Sequence, residues 1–234
     1  MRPLMVQGSI GCAGAWAYAG AAAAAAAGDL PGLAVSRRDL ALMAPALVAQ
    51  EIERQASWRP AALEAAFTLT LADIASWLAG EGEEVPTLTD ARSGHPVKGF
   101  IDRIDLARDG SGRVVVIDYK TGSLPTRRRI AEGRELQLAL YALAVETGAV
   151  AELPAREEAW SVAEGGFYAL HRRDPGYHGF LDDRDHLVQG ARTILDQALE
   201  AIDTLEAGGT VDVTGMHTAL IGLFAPQVQG FLKY

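Results

Sequence analysis

Two aspartates and a lysine stand at spacings that a strand pairing would convert into one small patch. Residues 97–120 read VKGFIDRIDLARDGSGRVVVIDYK. Two β-type runs flank a glycine-rich turn, which predicts a β-hairpin. If positions whose numbers sum to 220 face each other, Asp102 lies opposite Asp118. A loop of three or five residues around Gly110 provides that register. Lys120 follows Asp118 by two and so shares its sheet face. Face-to-face carboxylates repel, and a hard divalent cation between them resolves the conflict. Oxygen donors suit Mg²⁺ or Mn²⁺ rather than zinc. A lysine beside such an ion orients or deprotonates water, and the ion stabilises charge on a phosphoryl oxygen, which is the equipment of phosphodiester hydrolysis. The competing reading is an ordinary hairpin with one surface Asp–Lys pair of little energetic worth. Against it, Asp118 ends the unbroken apolar run Val114-Val115-Val116-Ile117, the pattern of a strand buried on both faces, where an unpartnered carboxylate is costly.

The elements that must position this patch follow from periodicity. Ser36 caps a helix running to about Gln55, marked by Leu40, Met43, Leu47 and Ile52, with Pro45 kinking it or beginning a second helix. Trp58-Arg59-Pro60 ends it, and residues 64–71 alternate as a strand, followed by a helical turn or insertion to about Gly80. Residues 81–96 read as loop, as do 121–129, which carry Arg127, Arg128 and Arg129. A helix over 133–147 buries Leu136, Leu140 and Leu143 and sets Gln137 and Tyr141 on one neighbouring face. A strand over 167–171 and a helix capped by Asp182 and Asp183 and stopped at Gly208-Gly209 complete the core.

Composition bounds the rest. The 234 residues, about half hydrophobic, are enough to bury a core. The net charge of −9 is uneven: between Lys98 and Arg134 nine Lys or Arg meet five Asp or Glu, so that window carries +4 and the remainder −13. The basic excess lies on the motif. A single cysteine, Cys12, excludes a disulfide framework and any multi-cysteine metal site, and suits a reducing, cytoplasmic setting. Ser9-Ile10-Gly11-Cys12 faintly resembles a lipoprotein processing site, but only Arg2 precedes it and the apolar stretch is alanine and glycine. No run is long and apolar enough to span a bilayer, so no membrane partner is expected. Residues 1–32 are expected to form a low-complexity tail, 33–209 the folded domain and 210–234 a weakly patterned tail.

The order Gly99-Phe100-Ile101-Asp102, then Ile117-Asp118-Tyr119-Lys120-Thr121-Gly122, then Gln137 and Tyr141 resembles the RecB-like branch of the PD-(D/E)XK nuclease superfamily. Within it, the motifs are most similar to the nuclease domain of AddB-type double-strand-break repair proteins. The resemblance is sharp over 97–145. It implies an α/β, restriction-endonuclease-like core, a mixed central β-sheet flanked by helices. It implies Asp102 and Asp118 as metal ligands with the backbone carbonyl of Tyr119, and Lys120 as the catalytic lysine. Gln137 and Tyr141 would line the cleft, contacting the DNA backbone or steadying the lysine, and Arg127, Arg128 and Arg129 would meet phosphates. Asp105, on the other strand face, reads as structural and a partner for Arg103 or Arg113.

The family's pattern also calls for an upstream acidic residue or histidine, for which Glu51, Glu53 and Glu64 are the candidates and no motif selects one. Many relatives close the domain with a cysteine-ligated iron–sulfur cluster, which is not expected here. The implied activity is a Mg²⁺- or Mn²⁺-dependent, exonuclease-like deoxyribonuclease that processes broken DNA ends beside an AddA-type helicase-nuclease subunit. The rivals are a catalytically silent module that binds DNA or docks a partner, and a stand-alone nuclease resembling those of CRISPR adaptation.

Overall fold

A computed structural model describes residues 37–131, 135–171, 173–181 and 184–211. The tail expected at 1–32, nearly all of that at 210–234, and the caps assigned to Ser36, Asp182 and Asp183 lie outside the described residues. The described elements are α1 (Arg37–Arg54), β1 (Trp58–Thr70), α2 (Leu71–Gly80), α3 (Asp90–Ser93), β2 (Pro96–Ala107), β3 (Arg113–Lys120), α4 (Arg127–Ala131), α5 (Gln137–Glu146), β4 (Ser161–Ala169), β5 (Gly176–Leu181) and α6 (Arg184–Glu206). The five strands form one sheet in the order β1-β2-β3-β4-β5. β3 and β4 run parallel while every other neighbouring pair is antiparallel, so the sheet is mixed.

Helices cover both faces, as expected for the restriction-endonuclease-like core. Val114 and Val116 of β3 look into the larger core, with Ile74 and Leu78 of α2, Leu140 and Leu143 of α5, and Leu195 of α6. Val115 and Ile117 look the other way, into a smaller cluster with Tyr168 and with Leu47 of α1. The continuous apolar run of β3 is therefore that of a central strand, with a helix layer on each face.

The hairpin forms in the expected register. Arg103 pairs with Ile117, Ile104 with Val116, Asp105 with Val115 and Leu106 with Val114. Its loop, residues 108–112, turns on Gly110 and Gly112, both at positive φ, a conformation that glycine adopts without a Cβ penalty. The Asp109 carboxylate steadies the turn by accepting from the Ser111 N–H at 3.0 Å.

Several boundaries differ from expectation. β1 begins at Trp58, six residues earlier than the alternation suggested, because a register shift at Pro60/Ala62 and a positive φ of 51° at Glu64 break its period of two. The segment after it is a full ten-residue helix, α2, opened by a capping box in which the Thr70 hydroxyl accepts from the Asp73 N–H and Asp73 accepts from the Thr70 N–H. Pro45 leaves α1 unbroken and lies on its exposed side. Arg127, Arg128 and Arg129 open the short helix α4 instead of lying in a loop. β4 starts at Ser161 rather than 167, and β5 is a strand in a stretch to which no element was assigned.

Candidate active site

The patch lies at a fork in the sheet. Backbone pairing of β2 with β3 stops at Arg103 and Ile117, and the next positions in that register are Asp102 and Asp118. Beyond the fork the Asp102 carboxylate takes over from the missing strand, its Oδ2 accepting the backbone N–H of Tyr119 at 2.8 Å. In an extended strand the N–H and C=O of one residue point to the same edge. The Tyr119 carbonyl therefore faces the edge where Asp102 lies.

Asp118 is 3% exposed, and its surroundings come from α5. Gln137 sits at the start of that helix, and its amide joins three side chains. Its Nε2 donates to Asp118 Oδ1 and, at 2.7 Å, to the Tyr141 hydroxyl, while its Oε1 accepts from Lys120 Nζ at 2.7 Å. The Tyr141 hydroxyl lies 3.5 Å from the same Asp118 Oδ1. Lys120 Nζ is 3.0 Å from Asp118 Oδ2, close enough for ion pairing but outside hydrogen-bond alignment, so that buried oxygen lacks a hydrogen-bond donor. Burial pushes the Asp118 carboxyl up to about 6; Lys120 counters it and nearby Asp102 adds to it. The Tyr141 phenol is raised well above its usual range by burial and then by Asp118, so it stays a donor at neutral pH.

Gly99 of the motif has a packing role in this arrangement. The Tyr141 ring meets Phe67 edge-on, centroids 6.2 Å apart, and a Cβ added at Gly99 would lie 2.8 Å from the Phe67 ring. Gly99→Ala must therefore displace a ring that is 3% exposed and braces Tyr141. The expected cost is about 1–3 kcal/mol, read as a lower urea midpoint, with a loss of cleavage activity as Tyr141 moves.

The structure brings Asp102, Asp118, Tyr119, Lys120, Gln137 and Tyr141 together. It corrects the expectation for Glu51 and Glu53. α1 packs on the opposite sheet face, where both Glu51 oxygens bind Arg103 at 2.7 and 3.1 Å, and Glu53 points to solvent on the same helix. Glu64 remains near: Leu63 and Ala65 pair with Arg103 and Ile101, so Glu64 stands opposite Asp102, with an exposed side chain. Asp105 is bound by Arg103 at 2.6 and 2.9 Å and by Arg54 at 3.2 Å, a structural role as expected. The Arg127 guanidinium donates to the Gly179 carbonyl at 3.2 Å and lies 5.5 Å from the Phe180 ring centre, which anchors the arginine run beside β5.

No group of three or more His, Cys, Asp or Glu forms a ready metal cage among the described residues. The donor set nevertheless fits a hard, partly hydrated cation: two carboxylates on adjacent strands, a buried carboxylate oxygen without a hydrogen-bond donor, and a backbone carbonyl on the same edge.

A family model of the PD-(D/E)XK nuclease superfamily matches residues 13–215, most of the chain and every element of this site. The chain belongs to the PD-(D/E)XK nuclease superfamily. No curated protein matches it. Members of the superfamily are nucleases that generally use divalent metal ions, and DNA binding follows from that membership. No helix among the described residues is long and apolar enough to cross a membrane.

The raised Asp118 carboxyl makes this nuclease's metal-free form pH-sensitive. Between the ordinary aspartate value of about 3.9 and about 6, the folded state holds more protons at this group than the unfolded state. Stability is therefore lost as pH rises through that window, by up to about 3 kcal/mol. Asp118→Asn removes the penalty. Above pH 7 the metal-free variant is expected to melt higher than the metal-free wild type, and the two converge below pH 4. Adding Mn²⁺ should raise the wild-type melting temperature and leave the variant's unchanged. A variant that gains from Mn²⁺ as wild type does would show that the ion binds elsewhere.

Proposed function

We propose that this nuclease hydrolyses DNA phosphodiesters with Mg²⁺ or Mn²⁺, processing broken DNA ends as an exonuclease beside an AddA-type helicase subunit. The observation that carries the chemistry is the Asp118–Gln137–Lys120 linkage facing Asp102 across the fork. Asp102, Asp118 and the Tyr119 carbonyl would hold the cation, with Glu64 as the nearest upstream carboxylate. When bound, it lowers the pKa of water and stabilises charge on phosphoryl oxygens.

This chain's own residues supply the positioning. Gln137 fixes the Lys120 ammonium at the mouth of the patch, where side-chain exposure of 28% lets it reach solvent and substrate. From there the Lys120 ammonium orients the attacking water and offsets charge on the phosphoryl oxygens as the new P–O bond forms and the bond to the 3′-oxygen breaks, the water's proton leaving to solvent and the departing oxygen taking one up from it. Tyr141 and Gln137 keep the two oxygens of Asp118 distinct. Oδ1 is held by their donors, which leaves Oδ2 turned to the lysine, where it would be available to a cation. Arg127, Arg128 and Arg129, on the same side as β5, supply phosphate contacts that position the strand without reading sequence.

The repair setting rests on the AddB-like order of the motifs. A cytoplasmic location is part of the same reading and rests on the lone cysteine. The test is a cleavage assay with Mn²⁺ on single- and double-stranded DNA, together with co-purification from the native host. Metal-dependent cleavage plus recovery of an ATP-dependent helicase supports the whole reading. Cleavage without a helicase partner favours a stand-alone enzyme. A second reading, a silent DNA-binding module, draws on the absence, among the described residues, of a third His, Cys, Asp or Glu grouped with Asp102 and Asp118. DNA binding without cleavage by the wild type selects it.

A further inference from the structure

Lys120 has one support that is not a hydrogen bond. Its Nζ lies over the ring of Phe167, 5.2 Å from the centroid, within the range of a cation–π contact. β4 runs parallel to β3 and sets Phe167 level with Asp118 and Ala169 level with Lys120. Phe167 packs in the larger core with Tyr141 and Leu140 of α5, whereas its neighbour Tyr168 looks into the smaller cluster on the other sheet face. The ring therefore shares the face of the patch. It is fully buried, and Phe180 of β5 meets it edge-on, with centroids 5.2 Å and planes 69° apart. Ala169 presents only a methyl group, so this ring is the large side chain on the β4 side of the lysine.

The ammonium thus has three neighbours of different kinds: Gln137 Oε1 at 2.7 Å, Asp118 Oδ2 at 3.0 Å and the Phe167 ring. Of these only Asp118 can carry charge, and its Oδ2 is also the oxygen that would be available to a cation. A cation sharing that oxygen would repel the ammonium and weaken its hold on the carboxylate. A lysine stem is flexible and its ammonium strongly hydrated, so a weakly held one swings into solvent. The amide oxygen and the ring are neutral and do not lose their attraction in this way. A ring face draws a cation through its quadrupole and, unlike another carboxylate, offers a metal ion no oxygen.

We propose that Phe167 is a positioning residue for Lys120, its buried ring face holding the ammonium at the patch when Asp118 Oδ2 is shared with a metal ion. The role of this contact in cleavage rests on the nuclease reading, while the contact itself is tested without metal or substrate.

The chain has three lysines, Lys98, Lys120 and Lys233. In protein made with lysine labelled with ¹³C at Cε, Lys120→Ala identifies the Lys120 signal. In the metal-free wild type the ring current of Phe167 should move the Lys120 Cε protons upfield of those of the other two lysines, and Phe167→Leu should return them. For cleavage, Phe167 is replaced site-specifically by phenylalanines of increasing ring fluorination, which weaken the negative face at nearly constant volume. With Mn²⁺, kcat should fall stepwise, by about two- to thirtyfold over the series, while KM and the urea midpoint change little. A wild-type Lys120 signal that coincides with those of the other lysines, one that Phe167→Leu leaves in place, or a kcat indifferent to fluorination overturns the proposal. If Phe167→Leu fails to fold, the wild-type shift and the fluorinated series decide. If the wild type cuts nothing, the nuclease reading fails separately, and the metal-free spectrum still decides whether the ring holds the lysine.

Discussion

Replacing Lys120 by alanine is expected to slow metal-dependent cleavage by about 10²–10⁴-fold while the protein stays folded and still binds Mn²⁺. Lys120 contributes no ligand atom and lies outside the fully buried core; its Nζ is held by Gln137 Oε1 at 2.7 Å and lies 3.0 Å from Asp118 Oδ2. Its removal takes away the cation that orients water at the phosphoryl centre, and leaves both aspartates in place. Asp118→Ala should lose the same activity and the Mn²⁺-induced rise in melting temperature as well. The split between the two variants is the informative result. Lys120→Arg should not restore the rate, because a planar guanidinium cannot place its charge where a compact ammonium at Gln137 stood. Cleavage that survives both Lys120→Ala and Asp118→Ala would place the chemistry elsewhere in the chain.

The part of the site that lies on the hairpin was legible from residues alone. Turn glycines at 110 and 112 and the apolar run of β3 leave few alternative registers, and a slip of one residue would put Val114 and Val116 on the wrong face. The upstream carboxylate was not legible, for a specific reason. Glu51 and Glu53 lie on a helix that periodicity identifies, but periodicity does not say which sheet face the helix covers. α1 covers the face away from Asp118, and Glu51 is engaged by Arg103 there.

β1 was half legible because the positive φ at Glu64 and the shift at Pro60/Ala62 interrupt alternation in an alanine-rich strand. β5 reads Gly-Tyr-His-Gly-Phe-Leu, and its two glycines and half-buried phase give no clean period of two.

The largest stability effect is expected on the sheet face away from the patch. Arg103 is 2% exposed and binds Asp105 through Nε and Nη2 at 2.6 and 2.9 Å, and Glu51 through Nη2 and Nη1 at 2.7 and 3.1 Å. Burial works against its charge, yet Glu51 and Asp105 outweigh that and hold the guanidinium above its usual range. Arg103→Met removes the cation and leaves two buried carboxylates facing each other, with only Arg54 at 3.2 Å from Asp105 to compensate. The expected loss is about 3–5 kcal/mol, read as a fall in the urea midpoint at unchanged slope. Adding Glu51→Gln and Asp105→Asn to Arg103→Met should recover part of that loss, since the penalty comes from the stranded charges and not from a missing contact. The effect should also reach the active site. Arg103 is the last β2 residue paired to β3 before the fork, and Asp102 follows directly into it. Slack at that pair loosens the Asp102–Tyr119 hydrogen bond, so the folded fraction of Arg103→Met should need more Mn²⁺ for half-maximal cleavage than wild type does. A variant with wild-type urea and Mn²⁺ midpoints would show that the Glu51–Arg103–Asp105 network neither stabilises the sheet nor positions Asp102.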